Sequence, residues 1–168
     1  MIREVEGDIL ASRAQVIAHG IATHEPFDTG LALALRERFP SLVKDYRHAL
    51  HAKAPEAGGI WVWSGVDADG STRRIVNLLT QGMQGQGKAA RPVKARLEDV
   101  NRALRALAKY LQDEGITSVA LPRLATGVGA LDWADVKPLV VQHLGGAGVT
   151  VLLYEVYRKG VQADEPPA

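Results

Sequence analysis

The chain has 168 residues, 46% of them hydrophobic, enough for one domain with a sizeable core. Its formal net charge of +1 gives no bulk electrostatic reason to bind nucleic acid or a membrane. It contains no cysteine, which excludes disulfides, thiolate metal sites and a cysteine nucleophile and fits an intracellular protein. Met1 to Glu6 is charged and lacks the apolar stretch of a signal peptide. No apolar run approaches the roughly 18 residues of a membrane span, so a cytoplasmic location without membrane contact is expected.

In chain order, Ile2 to Val5 reads as a short strand and Gly7-Asp8-Ile9-Leu10 as its turn. Val16 to Gly20 is an apolar run ending in glycine, the pattern of a buried strand. Ile21 to Gly30 is polar and broken by Pro26 and Gly30, so it reads as a loop. Leu31 to Phe39 is helical in composition, and Pro40 breaks it. Ser41 is a candidate cap for a second helix carrying Val43, Tyr46 and Leu50 on one face. Ile60 to Trp63 and Arg73 to Thr80 read as strands joined by the turn Asp67 to Gly70, with Trp61 and Trp63 on one face. A loop with Gly82, Gly85 and Gly87 follows. It is too glycine-rich for a simple hairpin and suits a mobile segment.

Pro92 to Gln112 carries the clearest helical period, through Val93, Leu97, Val100, Leu104, Leu107, Ala108 and Leu111, with Glu98 and Arg102 as i,i+4 partners and Gly115 as its end. A strand from Thr117 to Leu121 then enters a loop with Gly127 and Gly129. The next helix, marked by Val136, Leu139, Val140, His143 and Leu144, starts at Asp132 or at Asp135. The later start would keep Pro138 in the first turn. Val149 to Val156 is a final strand with Tyr154 near its end. Strands alternate with helices and are apolar throughout, which predicts a three-layer α/β domain, a central mixed sheet flanked by helices, over residues 1–160. Residues 161–168 read as a polar, frayed tail.

The strand-to-helix connection Leu121 to Trp133 is where chemistry enters. Glycines let a backbone approach an anion, free N–H groups can cradle it, and ligands of α/β folds sit beyond the carboxyl ends of the strands. No G-x-S-x-G elbow, H-E-x-x-H pair or Walker loop is present, which argues against the common hydrolase and NTPase classes. His48 and His51 are three apart without a third ligand, so no metal and no cofactor is expected. Arg73-Arg74 and the cluster Lys88, Arg91, Lys94, Arg96 are local basic patches.

With the elements in this order, the chain resembles the macrodomains, the ADP-ribose-binding α/β modules, and is most similar to the branch of terminal ADP-ribose glycohydrolase and antitoxin macrodomains. The likeness runs from Ile2 to Tyr154. It is carried by Gly7-Asp8-Ile9-Leu10, by His19-Gly20-Ile21 with Gly30 to Leu35 and Phe39-Pro40, and by Leu121 to Gly129 with Trp133. The resemblance implies ADP-ribose binding through Asp8, Ile9, His19, Gly30, Gln81, Thr126, Gly127, Val128, Gly129 and Tyr154. Asp8 would accept from the adenine amino group, with Ile9 beside it. Tyr154 would lie against the adenine ring, although a tyrosine there also suits the core. The backbone N–H groups of 126–129 would hold the pyrophosphate.

The chain departs from that branch at two catalytic positions, where Gln81 replaces a lysine and Gly129 an acid. Neither can supply an amine nucleophile or a carboxylate. Asp28 stands where the family carries glycine, and with His24, and Glu25 in the same loop, it is a candidate to activate water at the distal ribose. The competing reading is that Asp28-Thr29-Gly30 only caps the next helix. The expected function is therefore an ADP-ribosyl hydrolase, acting as a monomer on ADP-ribosylated protein or nucleic acid, DNA included. A non-catalytic reader of ADP-ribosyl groups and an ADP-ribose 1″-phosphate phosphatase are the alternatives.

Overall fold

The computed structural model describes residues 1–85, 87–146 and 148–166. Strands β1 (Ile2–Gly7), β2 (Val16–Ala22), β3 (Ile60–Val66), β4 (Thr72–Gln81), β7 (Ser118–Pro122) and β8 (Thr150–Tyr157) form one six-stranded sheet in the order β1-β8-β7-β2-β4-β3. Every pairing is parallel except β3 with β4, so the sheet is mixed as expected. Helices α1 (Gly30–Arg38) and α2 (Pro40–Ala52) cover one face, and α3 (Leu97–Asp113) and α4 (Trp133–Leu144) the other. Along β2, Ile17 and Ile21 join the α1–α2 core while Val16 and Ala18 join the α3–α4 core, which is why the strand reads as a continuous apolar run. Leu107, fully buried beneath α3, marks the tightness of the second core, where truncation of such a leucine to alanine costs ~2–5 kcal/mol. The parallel order puts the carboxyl ends of β1, β8, β7, β2 and β4 along one edge.

Several local expectations change. α2 starts at Pro40 with Phe39 as its N-cap, so Ser41 sits inside the helix instead of capping it. α3 starts at Leu97 and not at Pro92. Arg91–Pro92 form a two-residue strand, β6, antiparallel to β5 (Met83–Gln84), and Val93 and Ala95 donate their N–H groups to Gly82 O (3.0 Å) and Gly129 O (2.8 Å). These long-range bonds hold the segment extended. Glu98 pairs with Arg96, and Arg102 with Asp99, in place of the expected Glu98–Arg102 pair. α4 starts after Asp132, and Pro138 lies inside it. Arg73, read as part of a basic patch, is a structural group: with Arg38 it holds Asp67, whose carboxyl is lowered to about 2 chiefly by the Arg38 hydrogen bond.

Over its described residues, 161–166, the C-terminal tail is docked, in place of the expected fraying. Ala163 is buried against the first core. Glu165 is 7% exposed and accepts from Ser12 Oγ (2.6 Å), the Arg13 N–H (2.8 Å) and Tyr154 Oη (2.5 Å). Those partners satisfy a buried carboxylate that would otherwise be costly.

Candidate functional site

An open groove of about 1460 Å³ runs along the carboxyl edge, between the β2–α1 loop and a wall made by residues 82–85 and 87–96, hereafter the flap, and the β7–α4 loop. Its size exceeds the ~300–1,000 Å³ of ordinary small-molecule pockets, leaving space for a dinucleotide-sized ligand and part of whatever carries it.

The β7–α4 loop owes its shape to two alanines held at positive φ, Ala125 (59°) and Ala130 (60°). It closes on itself through Leu131 N–H to Ala125 O (2.9 Å) and Ala130 N–H to Gly127 O (3.0 Å). Among the described residues, the N–H groups of Thr126, Gly127, Val128 and Gly129 donate to no protein acceptor. Successive unpaired amides of this kind form an anion-binding concavity. The two glycines differ. A Cβ on Gly129 would stand 2.6 Å from Ala125 O, so the fold itself demands glycine there. Gly127 has no positive φ and no atom within 4 Å of a built Cβ, yet it lines the groove.

Across the groove, Gly30, Leu31 and Ala32 present the first turn of α1. Thr29 makes no side-chain cap bond, so this helix terminus is open. The helix end that faces the loop's amides is thus that of α1; no residue of α4 lines the groove. Asp28 and His24 are exposed on the same wall, and neither caps α1. Glu25 staples the loop, accepting from the Ala22 N–H (3.1 Å) and the Phe27 N–H (3.0 Å). Burial pushes its carboxyl above the usual range, and neighbouring Asp28 adds to the shift against those two hydrogen bonds. Phe27 is fully buried with φ 55°, edge-on to Tyr46. The non-glycine positive-φ residues among the described residues all lie in these two groove loops, where strain is commonly kept for function.

The floor carries His19 and Gln81. Asn77 Nδ2 donates to Trp61 O (3.1 Å), which turns Asn77 Oδ1 toward His19 Nε2 (2.6 Å) and places the imidazole proton on Nε2. Burial lowers the His19 pKa to about 4 against the opposing effect of that hydrogen bond, so the ring is neutral at pH 7 and Nδ1 carries no proton. Gln81 Oε1 accepts from Thr80 Oγ1 (3.2 Å), and Gln81 O accepts the Thr23 N–H (2.9 Å), tying β4 to the opposite loop.

Asp8, Ile9, Thr126 and Tyr154 do not line the groove. Asp8 caps the 3-10 turn Ile9–Ala11 through Oδ1 to the Leu10 N–H (3.0 Å), and its Oδ2 accepts the Gly160 N–H (2.9 Å). Its own N–H donates to Val161 O (2.7 Å). Ile9 is buried, and Tyr154, 4% exposed, is a core side chain. The exposed aromatic at the end of β8 is Tyr157, paired in register with Gly7 and 55% exposed.

The fold is an α/β module with an open groove at the carboxyl edge of its sheet, and the chain belongs to the macro domain family, whose model matches residues 19–140. Among curated relatives, it is 28% identical to the DNA ADP-ribosyl transferase-DNA ADP-ribosyl glycohydrolase fusion protein of Thermosipho africanus, over 89% of this chain and 40% of that protein. It is also 28% identical to the DNA ADP-ribosyl glycohydrolase of Thermus aquaticus, over 92% of this chain and 41% of that protein. The chain thus spans about two-fifths of the length of these relatives. The solved macrodomain of Thermus aquaticus DarG superposes with a TM-score of 0.73 at 27% identity, covering 92% of this chain and 98% of that one. Among the described residues no helix is long and apolar enough to cross a membrane.

Proposed function

We propose that the groove binds ADP-ribose and that the chain hydrolyses the bond between the distal ribose and a modified macromolecule. The carrying observation is the run of unpaired N–H groups at Gly127, Val128 and Gly129, across the groove from the uncapped N-terminus of α1. Together they offer a pyrophosphate two sets of oriented donors without a cationic side chain. The relatives named as DNA ADP-ribosyl glycohydrolases support the hydrolytic reading.

In this reading Asp28 is the base. It accepts a proton from the water that attacks the anomeric carbon; the carbon–leaving-group bond breaks and the leaving group takes up a proton from solvent. His24 positions the water, and the proton-free Nδ1 of His19 and the Gln81 carboxamide hold ribose hydroxyls. No covalent lysine adduct forms, because Gln81 is not a nucleophile.

Calorimetric titration with ADP-ribose, followed by incubation with ADP-ribosylated DNA and protein, tests the reading. Saturable binding with release of ADP-ribose is expected. Asp28→Ala should retain binding and lose ~10²–10⁴-fold in release rate; an unchanged rate would remove Asp28 from the chemistry. One observation favours a non-catalytic reader instead: the floor carries Gln81, and Gly129 has no room for a side chain. Binding without release from either substrate selects that reader.

A further inference from the structure

The floor of the groove holds a polar row in an apolar face. His19, Asn77 and Trp61 stand opposite one another on β2, β4 and β3. Their neighbours on the same face, Ile17, Ile21, Ile75 and Leu79, belong to the α1–α2 core. Asn77 is fully buried and His19 is 2% exposed, so each needs hydrogen-bond partners to be tolerated there. The row has a direction. Trp61 O can only accept, so the Asn77 amide turns its Nδ2 to it (3.1 Å) and its Oδ1 to His19 Nε2 (2.6 Å). That amide oxygen also only accepts, which leaves the ring proton on Nε2. Burial lowers the ring's pKa to about 4, so at pH 7 it carries that proton and no other. Among the described residues His19 Nδ1 has no partner, yet no fully enclosed side-chain nitrogen or oxygen lacks one. Nδ1 is therefore the atom by which the ring meets the groove it lines.

Two other polar side chains of the floor have no fixed polarity. The Thr23 hydroxyl rotates, and the neighbour of Gln81 is the Thr80 hydroxyl, which can donate or accept, so the carboxamide can present either end to the groove. At His19, by contrast, a backbone carbonyl acting through Asn77 dictates what a ligand must bring. Resting on the reading that the groove takes an ADP-ribosyl group, we propose that Asn77 is a positioning residue that sets specificity: by holding the His19 proton on Nε2 it makes Nδ1 an obligate acceptor, and the groove admits at that point a ribose hydroxyl free to donate. A methylated, acylated, phosphorylated or glycosylated oxygen there sets lone pair against lone pair and leaves a buried nitrogen unpaired. The substrate class is thus an ADP-ribosyl group unsubstituted at that hydroxyl.

The test joins two measurements. Long-range proton–nitrogen NMR on histidine-labelled protein reads the ring, with the His19 signals assigned by their loss in His19→Gln. Calorimetry compares ADP-ribose with analogues carrying an O-methyl group at each ribose hydroxyl in turn. The wild type should show Nε2 protonated and Nδ1 bare, and saturating ADP-ribose should shift Nδ1 as an accepted hydrogen bond does while Nε2 stays in place. One methylated analogue should bind ~10–100-fold more weakly than ADP-ribose and leave Nδ1 unshifted. In Asn77→Leu, which removes the amide at similar volume, the proton should move to Nδ1, where water in the groove accepts it. ADP-ribose affinity should then fall ~10-fold and the penalty of that analogue should shrink. Should Asn77→Leu not fold, the wild-type spectra and the analogue series decide. A proton on Nδ1 in the wild type, ADP-ribose heat with Nδ1 unmoved, or analogues that all bind like ADP-ribose overturn the proposal and leave the ADP-ribose reading standing. A folded Asn77→Leu that keeps its proton on Nε2 does the same. Absence of any ADP-ribose heat in the wild type overturns both.

Discussion

At the β2–β7 part of the carboxyl edge, the amides of Thr126 to Gly129 and the first turn of α1 are left without protein acceptors. At the β1–β8 part, a few strands away, Asp8 has both carboxylate oxygens and its own N–H taken by the chain, and the segment from Arg158 to Glu165 lies over it. Both regions are short polar turns after parallel strands. They differ in that the C-terminal segment takes up the polar groups of one, whereas among the described residues the flap meets the other through the Ala95 N–H to Gly129 O bond and leaves the loop's N–H groups untouched. Open amides are tolerated where the backbone is braced and wet. A carboxylate beside a returning strand end is satisfied by that strand's own continuation. Ligand chemistry is therefore to be sought first where polar groups are left over.

The largest effect expected from breaking this contrast is on pH dependence. His19, on the open side, is neutral with a pKa of about 4 in the folded protein and near 6.5 when unfolded. Between those values the unfolded chain binds the extra proton. Stability therefore falls as pH drops from about 6.5 towards 4, by ~3 kcal/mol. Denaturant melts at pH 7 and 4.5 should show the loss, and His19→Gln should abolish most of its share.

Next in size are the two glycines of the loop. Gly129→Ala drives a Cβ into the Ala125 carbonyl and should cost ~1–3 kcal/mol together with ligand binding. Gly127→Ala meets nothing in the protein, so thermal stability should stay within about 0.5 kcal/mol. ADP-ribose affinity should nonetheless fall about tenfold, because the methyl group enters the groove. A stability loss at Gly127 equal to that at Gly129 would erase the distinction between them.

Comparable in stability but smaller in its effect on binding, Glu165→Ala at the closed side removes the acceptor of Ser12 Oγ, the Arg13 N–H and Tyr154 Oη and should cost ~1–3 kcal/mol. Loosening the segment also frees the Asp8 carboxylate from Gly160, so ADP-ribose should bind more tightly despite the lower melting temperature. Unchanged affinity would mean that Asp8 acts only as a turn cap.

Much of the fold was legible because it is local. Period and composition identified the strands of the main sheet and the four helices, and the Gly115 stop holds, with φ 64° and the Ile116 N–H reaching Leu111 O at 2.8 Å. What escaped was set by distant partners. Val93 fits the period of α3 but is held outside it by Gly82. Glu165 looks like tail composition until Ser12, Arg13 and Tyr154 close around it. The glycine-loop amides could be anticipated from G-x-G after a strand. That Gly129 is structural and Gly127 is not, and that Ala125 and Ala130 supply the left-handed turns, depends on backbone contacts invisible in residue types.

The most direct measurement is an ADP-ribose titration followed by amide NMR. The account predicts saturable shifts at the N–H groups of Thr126, Gly127, Val128 and Gly129 and at Gly30 to Ala32, fitting one dissociation constant. Shifts confined to other surfaces, or none at saturating ligand, would contradict it.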